Sequence, residues 1–416
     1  MRALRDSNPQ RPARGGGITL TGNGGATVNL TGAMNLSTET GAAVKATGGG
    51  AVTVTGSPST LATTTGTALE VANTTIGANG LTFRRISSNS ASKGIVLDST
   101  GTAGSLTVTG AGGTCTSSDT TGCSGGSILN SAGSDDAGAS PGGTGIVLRN
   151  TKAPSLTRML IDNASNYAIR GTDVSGFTLA NSVIKGINGT NGATPFDDSA
   201  IRFENLTGSA AITDTEVSGG REDNISVTNS TGSLDRLSLT RVTIGLNSDA
   251  DGNDGLHLES AATAGALKAT IQDSTFTGAR GDLVDYSHNG SGEGDLVIDN
   301  SDFENNHLGI ATGGGGLTLS RGGTGAVTSM AIRNSTFRDA VGAAVLVYKA
   351  AGPSVITGVF ENNTIGVTGD VNSGSAEGSG LKLQTVGQGT MTWSVTGNQI
   401  RGYKVHRISA GCHGRE

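Results

Sequence analysis

Between Asn247 and Asp285 the sequence gathers the side chains best suited to chemistry. The run Asn247-Ser248-Asp249-Ala250-Asp251-Gly252-Asn253-Asp254 sets oxygen-bearing side chains at alternate positions, with a Gly for a sharp turn. Asp249, Asp251, Asn253 and Asp254 are therefore candidate calcium ligands. The run has no carboxylate at its twelfth position and no helical flanks, and a solvated Asp/Asn turn explains the same residues. Just beyond it lie His257, Glu259, Asp282 and Asp285. Aligning neighbouring repeats puts Arg202, Ser226 and His257 at equivalent outward positions, with Glu204, Thr228 and Glu259 two residues on. Strand spacing then puts Glu259 about 5 Å from Asp285 and about 10 Å from Glu204. Both separations suit paired-carboxylate sugar hydrolysis, so Glu259, Asp285, Asp282 and His257 are the catalytic candidates. The competing reading is a solvated strand face carrying ordinary surface charge. His288 and His307 fall in or beside turns, and Gly313–Gly316 precedes no helix that could cradle a phosphate.

The elements that would position these residues recur along the chain. Ile332-Arg333-Asn334-Ser335-Thr336-Phe337 has the pattern apolar, any, Asn/Asp, Ser/Thr, any, apolar. It returns at Leu179–Ile184, Ile212–Val217, Leu239–Ile244, Ile271–Phe276, Ile298–Phe303, Phe360–Ile365 and Val395–Ile400. Interleaved with it are short apolar strands at Val44, Leu69, Ile95, Ile146, Ile169, Ile201, Ile225, Leu256, Leu283, Ile310, Val345 and Leu381. The long step from Ile95 to Ile146 is either two repeats or one with an insertion. Alternating apolar residues such as Leu296-Val297-Ile298 indicate strands, and repeats of this length that cannot bury an apolar face alone must stack. The expected fold is all-β, a parallel β-helix of roughly 12 coils. In it Asn181, Asp214, Asp273, Asn300, Asn334 and Asn362 form a turn ladder, broken by Arg241 and Gly397, and Phe276, Phe303 and Phe337 stack inside.

Composition agrees. The chain has 69 Gly, only 3% aromatic and 34% hydrophobic residues, too little for a large globular core but enough for a narrow stacked one. A net charge of -6 and a pI near 5.4 give no basic face for nucleic acid or anionic lipid. No apolar run is long enough for a transmembrane helix. Cys115 and Cys123 bracket a short polar loop that could close as a disulfide in an oxidising compartment, or hold two unpaired thiols; Cys412 is left over.

Residues 1–17 are basic, Pro-containing and patternless, and are expected to be disordered. They lack the apolar core of a signal peptide; since folds of this composition usually belong outside the cell, the start is expected to be internal to a longer reading frame, the alternative being a chain that stays in the cytoplasm. Residues 18–402 are expected as a single β-helix: low-complexity coils over 18–80, an insertion loop at 101–145 or else one degenerate coil around Ile128, and well-defined coils over 145–402. Residues 403–416 lose the repeat and are expected to be irregular, either a cap on the helix end or, as the missing periodicity favours, a truncated or out-of-frame tail. Long links after Ile184, Ile244 and Ile365 should emerge on one side as a rim, where a site would be sought.

The motif followed by a Gly-led strand, as in IRNSTF-RDAVGAAVLV and IDNSDF-ENNHLGIA, resembles the right-handed parallel β-helix repeats of the pectin-lyase-like superfamily. The stretches SLTRMLIDNASNYAIRGTDVSGFTLANSVIKG and TIGLNSDADGNDGLHLE are similar to large secreted bacterial β-strand-repeat proteins, autotransporter-like or adhesin-like. The resemblance covers roughly residues 80–402 and implies a right-handed helix outside the cell. It also implies polysaccharide lyases and hydrolases among the relatives. The polygalacturonase-type set is not met: Asp135-Asp136 and Asp197-Asp198 are Asp pairs and Gly171-Thr172-Asp173 is a partial match, but no Gly-His-Gly or Arg-Ile-Lys occurs. The first functional expectation is a secreted or surface structural and adhesive protein whose loops contact glycans or host molecules. The alternative is a polysaccharide-active enzyme using carboxylates near Asp254–Asp285. An enzyme should show an open groove with converging carboxylates, a spacer charges spread evenly along the ridge.

Overall fold

The computed structural model describes residues 15–190, 198–248, 252–304, 314–323 and 327–413. They form a parallel β-helix, all strands apart from one 3-10 turn at Thr120–Gly122. The chain divides into two compact units, Met1–Arg202 and Phe203–Glu416. Most coils contribute three short strands, the first two being fused in Ile169–Ala180 and Ile201–Thr213, and the strands pair in parallel with their counterparts in the next coil.

In the first unit Ile18, Val44, Leu69, Ile95, Ile146 and Ile169 stand in one column. Ile95 pairs directly with Ile146, so the long step is one coil. Segment 101–145, expected as an insertion loop, supplies two of that coil's strands, Leu106–Val108 and Gly126–Leu129. They stack on Thr75–Phe83 and on Met159–Asp162, so only the excursions on either side of Gly126–Leu129 are irregular. Cys115 and Cys123, in the first excursion, are disulfide-bonded and pack on Val183 and Leu160.

In the second unit the corresponding column is Ile225, Leu256, Val284, Leu317, Val345, Leu381 and Ile408. Two sequence assignments shift. The partner of Leu256 is Val284 and not Leu283, a one-residue slip that a pair of adjacent apolar residues invites. The next strand is Leu317–Arg321, whereas the expected Ile310 lies outside the described residues. Ile408–His413, expected as an irregular tail, pairs along Leu381–Val386. Its small residues, Ser409, Ala410 and Gly411, hide the alternation that would have marked it as a strand.

The recurring Asn-Ser motif has a mechanical reading. Its third residue turns the chain through left-handed backbone, with φ of 52° at Asp273, 48° at Asn300 and 53° at Asn334. Arg241 adopts the same turn, with φ 53°, and its guanidinium grips Asp214 of the coil below at 2.5 and 2.9 Å. The residue that follows is buried. Ser274, Ser301 and Ser335 each accept an amide N–H from the previous coil at 3.1 Å, and each hydroxyl donates back to the carbonyl two residues earlier. The last motif position fills the core: Phe276, Phe303 and Phe337 stack with centroids 5.1 Å apart.

A second buried column runs along the strand ends: Asn229, Ser260, His288, Arg321 and Lys349, all without exposed surface. These polar side chains satisfy carbonyls of the corner they face. Arg321 donates to the carbonyls of His288 and Gly290, and Lys349 to those of Ala350 and Gly352.

Candidate functional site

The candidate site lies within the second unit, where Leu256–Ser260 pairs with Val284–His288. Strand alternation buries Leu256, Leu258, Val284 and Tyr286 and turns His257, Glu259, Asp285 and Ser287 outward. The register puts Asp285 opposite His257, and Ser287 opposite Glu259. The expected direct Glu259–Asp285 neighbour pair is thus displaced by the same slip that misplaced Leu283, and His257 stands between the two carboxylates. The expected alignment of Ser226 with His257, and of Thr228 with Glu259, is present.

Two residues before each of the successive strands Ile225–Asn229, Leu256–Ser260 and Val284–His288 sits an aspartate: Asp223, Asp254 and Asp282. They form a ladder that caps successive turns. The Asp254 N–H donates to Asp223 Oδ1 at 2.9 Å, the Asp282 N–H to Asp254 Oδ1 at 2.7 Å, and the Gly315 N–H to Asp282 Oδ1. Asp254 is only 5% exposed. This capping role places Asp254 in the wall of the helix. Among the other calcium candidates, Asn253 donates to Asp254 Oδ2 at 3.4 Å, and Asp249 and Asp251 lie outside the described residues. His307 and Asp197 also lie outside them.

The second oxygen of Asp254 meets His257. His257 Nδ1 lies 3.4 Å from Asp254 Oδ2 and 3.1 Å from Asp285 Oδ2, and its Nε2 lies 3.6 Å from Glu259 Oε2. Nδ1 is buried between the two aspartates and makes a directed hydrogen bond to neither. Burial pushes the Asp254 carboxyl up to about 7, with Asp223, Asp282 and Asp285 adding to the rise and His257 opposing it. Burial also opposes charge on His257, but Asp254, Asp285 and Glu259 outweigh it and hold the imidazolium up to about 12. Glu259 is pulled below the usual carboxylate range by His257, and burial raises Asp282. One cation thus serves several carboxylates.

One ligand atom each from Asp254, His257 and Asp285 falls within 4.8 Å of the others, a spacing that could hold a metal ion. Sequence reasoning named these residues but missed the ladder, since nothing local marks Asp223, Asp254 and Asp282 as stacked. Their common distance from the following apolar strand was the available signal. The buried Ser260–His288 pair, with Oγ 2.6 Å from Nδ1, is sealed in the corner column and unreachable by substrate. In the first unit a shallow hollow is lined, among the described residues, by Asn130, Asn163, Ser165, Ile187 and Thr190, none of them ionisable.

No helix among the described residues is long and apolar enough to cross a membrane. Neither a protein-family model nor a curated protein matches the chain. Among solved structures the chain is similar to a polygalacturonase from Erwinia carotovora ssp. carotovora, with 10% identity, 97% of this chain and 98% of that one covered, and a TM-score of 0.30. A likeness this distant transfers no residue roles.

Proposed function

We propose that the chain is a polysaccharide-active β-helix, a hydrolase or lyase that works outside the cell on the face around His257. The observation that carries this is the convergence of Asp254, Asp285 and Glu259 on one histidine. A spacer or adhesive surface, the first expectation from sequence, needs no such concentration of acid on one strand pair. Both cleavage chemistries need groups that give and take protons beside a sugar ring, and carboxylates supply them. Asp285 and Glu259 are the reachable pair, with side chains 20% and 41% exposed. In the ladder behind them Asp254 anchors His257, which keeps the two carboxylates apart. The Cys115–Cys123 disulfide supports an oxidising compartment, and polysaccharide is abundant outside cells.

The test is release of reducing ends or unsaturated products from a panel of acidic and neutral polysaccharides. Wild type should cleave at least one, and Asp285→Asn and Glu259→Gln should each lower the rate at least about 100-fold while the circular dichroism stays that of folded β. A folded wild type that cleaves nothing on the panel, or variants as active as wild type, would return the chain to the surface-binding reading.

A further inference from the structure

We infer that Asp254, His257 and Asp285 form a binding site for a first-row divalent transition metal, with Asp254 Oδ2, Asp285 Oδ2 and His257 Nδ1 as its ligands. Three features carry this, and none depends on glycan chemistry. The first is convergence: both aspartate oxygens point at the same imidazole nitrogen, 3.4 and 3.1 Å away, and the ligand atoms lie within 4.8 Å of one another. The second is that this nitrogen is buried and, although 3.1 Å from Asp285 Oδ2, makes a hydrogen bond of good geometry to neither aspartate.

The third is the arrangement behind the ligands. Metal-bound histidines hold their other ring nitrogen against a carboxylate, and Glu259 Oε2 sits 3.6 Å from His257 Nε2. Ligating carboxylates are themselves hydrogen-bonded, and Asp254 Oδ1 accepts the Asp282 N–H at 2.7 Å, leaving Oδ2 for the ion apart from a 3.4 Å contact from Asn253. Asp223 and Asp282 place two further carboxylates along the same ladder. An imidazole nitrogen with two carboxylate oxygens selects zinc, manganese or cobalt over the all-oxygen preference of calcium and magnesium. Binding displaces the proton on Nδ1 to solvent, and Nε2 keeps its own, directed at Glu259.

The site shares its face with the proposed glycan chemistry, so binding is measured without glycan. The full chain, stripped with chelator, is titrated with Co2+ and followed by visible absorption and calorimetry, with Ca2+ and Mg2+ in parallel. The expected result is one equivalent of Co2+ with ligand-field bands. His257→Gln and Asp285→Asn should abolish the bands, and Glu259→Gln should weaken binding about 10- to 100-fold with the bands retained. Folding of each variant is read from the circular dichroism. Absence of saturable Co2+ binding overturns the proposal, as does binding unchanged in His257→Gln or matched by Ca2+, which would mean a diffuse acidic surface. Polysaccharide cleavage is scored separately on stripped and Co2+-loaded protein. Cleavage by stripped protein that binds no Co2+ would sink the metal site and leave the enzyme reading standing, and Co2+ binding without cleavage would do the reverse.

Discussion

Replacing His288 should remove an acid-sensitive component of stability from the second unit. The ring has no exposed surface and sits in a neutral hydrogen-bond circuit. Its Nε2–H donates to the Gly292 carbonyl at 3.0 Å, which leaves Nδ1 to accept the Ser260 hydroxyl at 2.6 Å. Burial, with the Arg321 guanidinium nearby, lowers its pKa from 6.5 to about 4. The unfolded chain therefore takes up a proton as pH falls below 6.5, and the folded chain does not until about 4. Stability must fall with pH through that window, by roughly 1.4 kcal/mol per unit and about 3 kcal/mol in all. Denaturant midpoints followed by the sole tryptophan, Trp393 of the same unit, give the curve for wild type and for His288→Gln. Asp254, Asp282 and His257 also titrate away from their ordinary values, but they are common to both proteins and cancel in the difference. The difference should shrink toward pH 4 as wild type loses what the variant never had. Parallel curves from pH 6.5 to 4 would refute the neutral buried circuit.

Ser301→Ala should lower stability by about 1–3 kcal/mol, because the Ser274 amide loses its buried acceptor; the same denaturation assay reads it. Phe303→Ala empties the middle of the aromatic stack and should cost about 3–5 kcal/mol. Arg241→Gly should raise the midpoint relative to Arg241→Ala, since only glycine adopts the left-handed turn freely and both changes lose the grip on Asp214. Reducing the Cys115–Cys123 bridge should make the neighbouring excursion the first point of protease cutting in the first unit, read by mapping the fragments with and without reductant.

Much of the fold is legible in six residues. Asn334 must turn, Ser335 must cap and Phe337 must fill, and each does so through contacts with the same motif one coil away. Register is less legible. Leu283 and Val284 are both apolar and both buried, so sequence alone cannot say which one stacks on Leu256, yet the choice decides which carboxylate faces His257. Loops that change length between coils hide the same information, as the step to Leu317 shows. The final strand escaped notice because Ser409, Ala410 and Gly411 carry almost no alternation.

The site itself follows from one difference within a repeating structure. Asp223, Asp254 and Asp282 do the same work, each capping the N–H of the next coil with one oxygen. What the other oxygen does depends on the strand that follows. After Asp223 the first outward residue is Ser226, and after Asp282 it is Asp285; only after Asp254 is it a histidine. That histidine draws in Asp285 from the next coil and Glu259 from its own strand. Stability alone requires the ladder but not His257, since the caps are complete without it. A buried carboxylate, a histidine and two further carboxylates gathered at one rung are an addition to the repeat, and His257→Gln separates the two roles. It should leave the caps and the fold in place while dispersing the cluster, so circular dichroism that holds while Co2+ binding fails would set the chemistry of this face apart from its architecture.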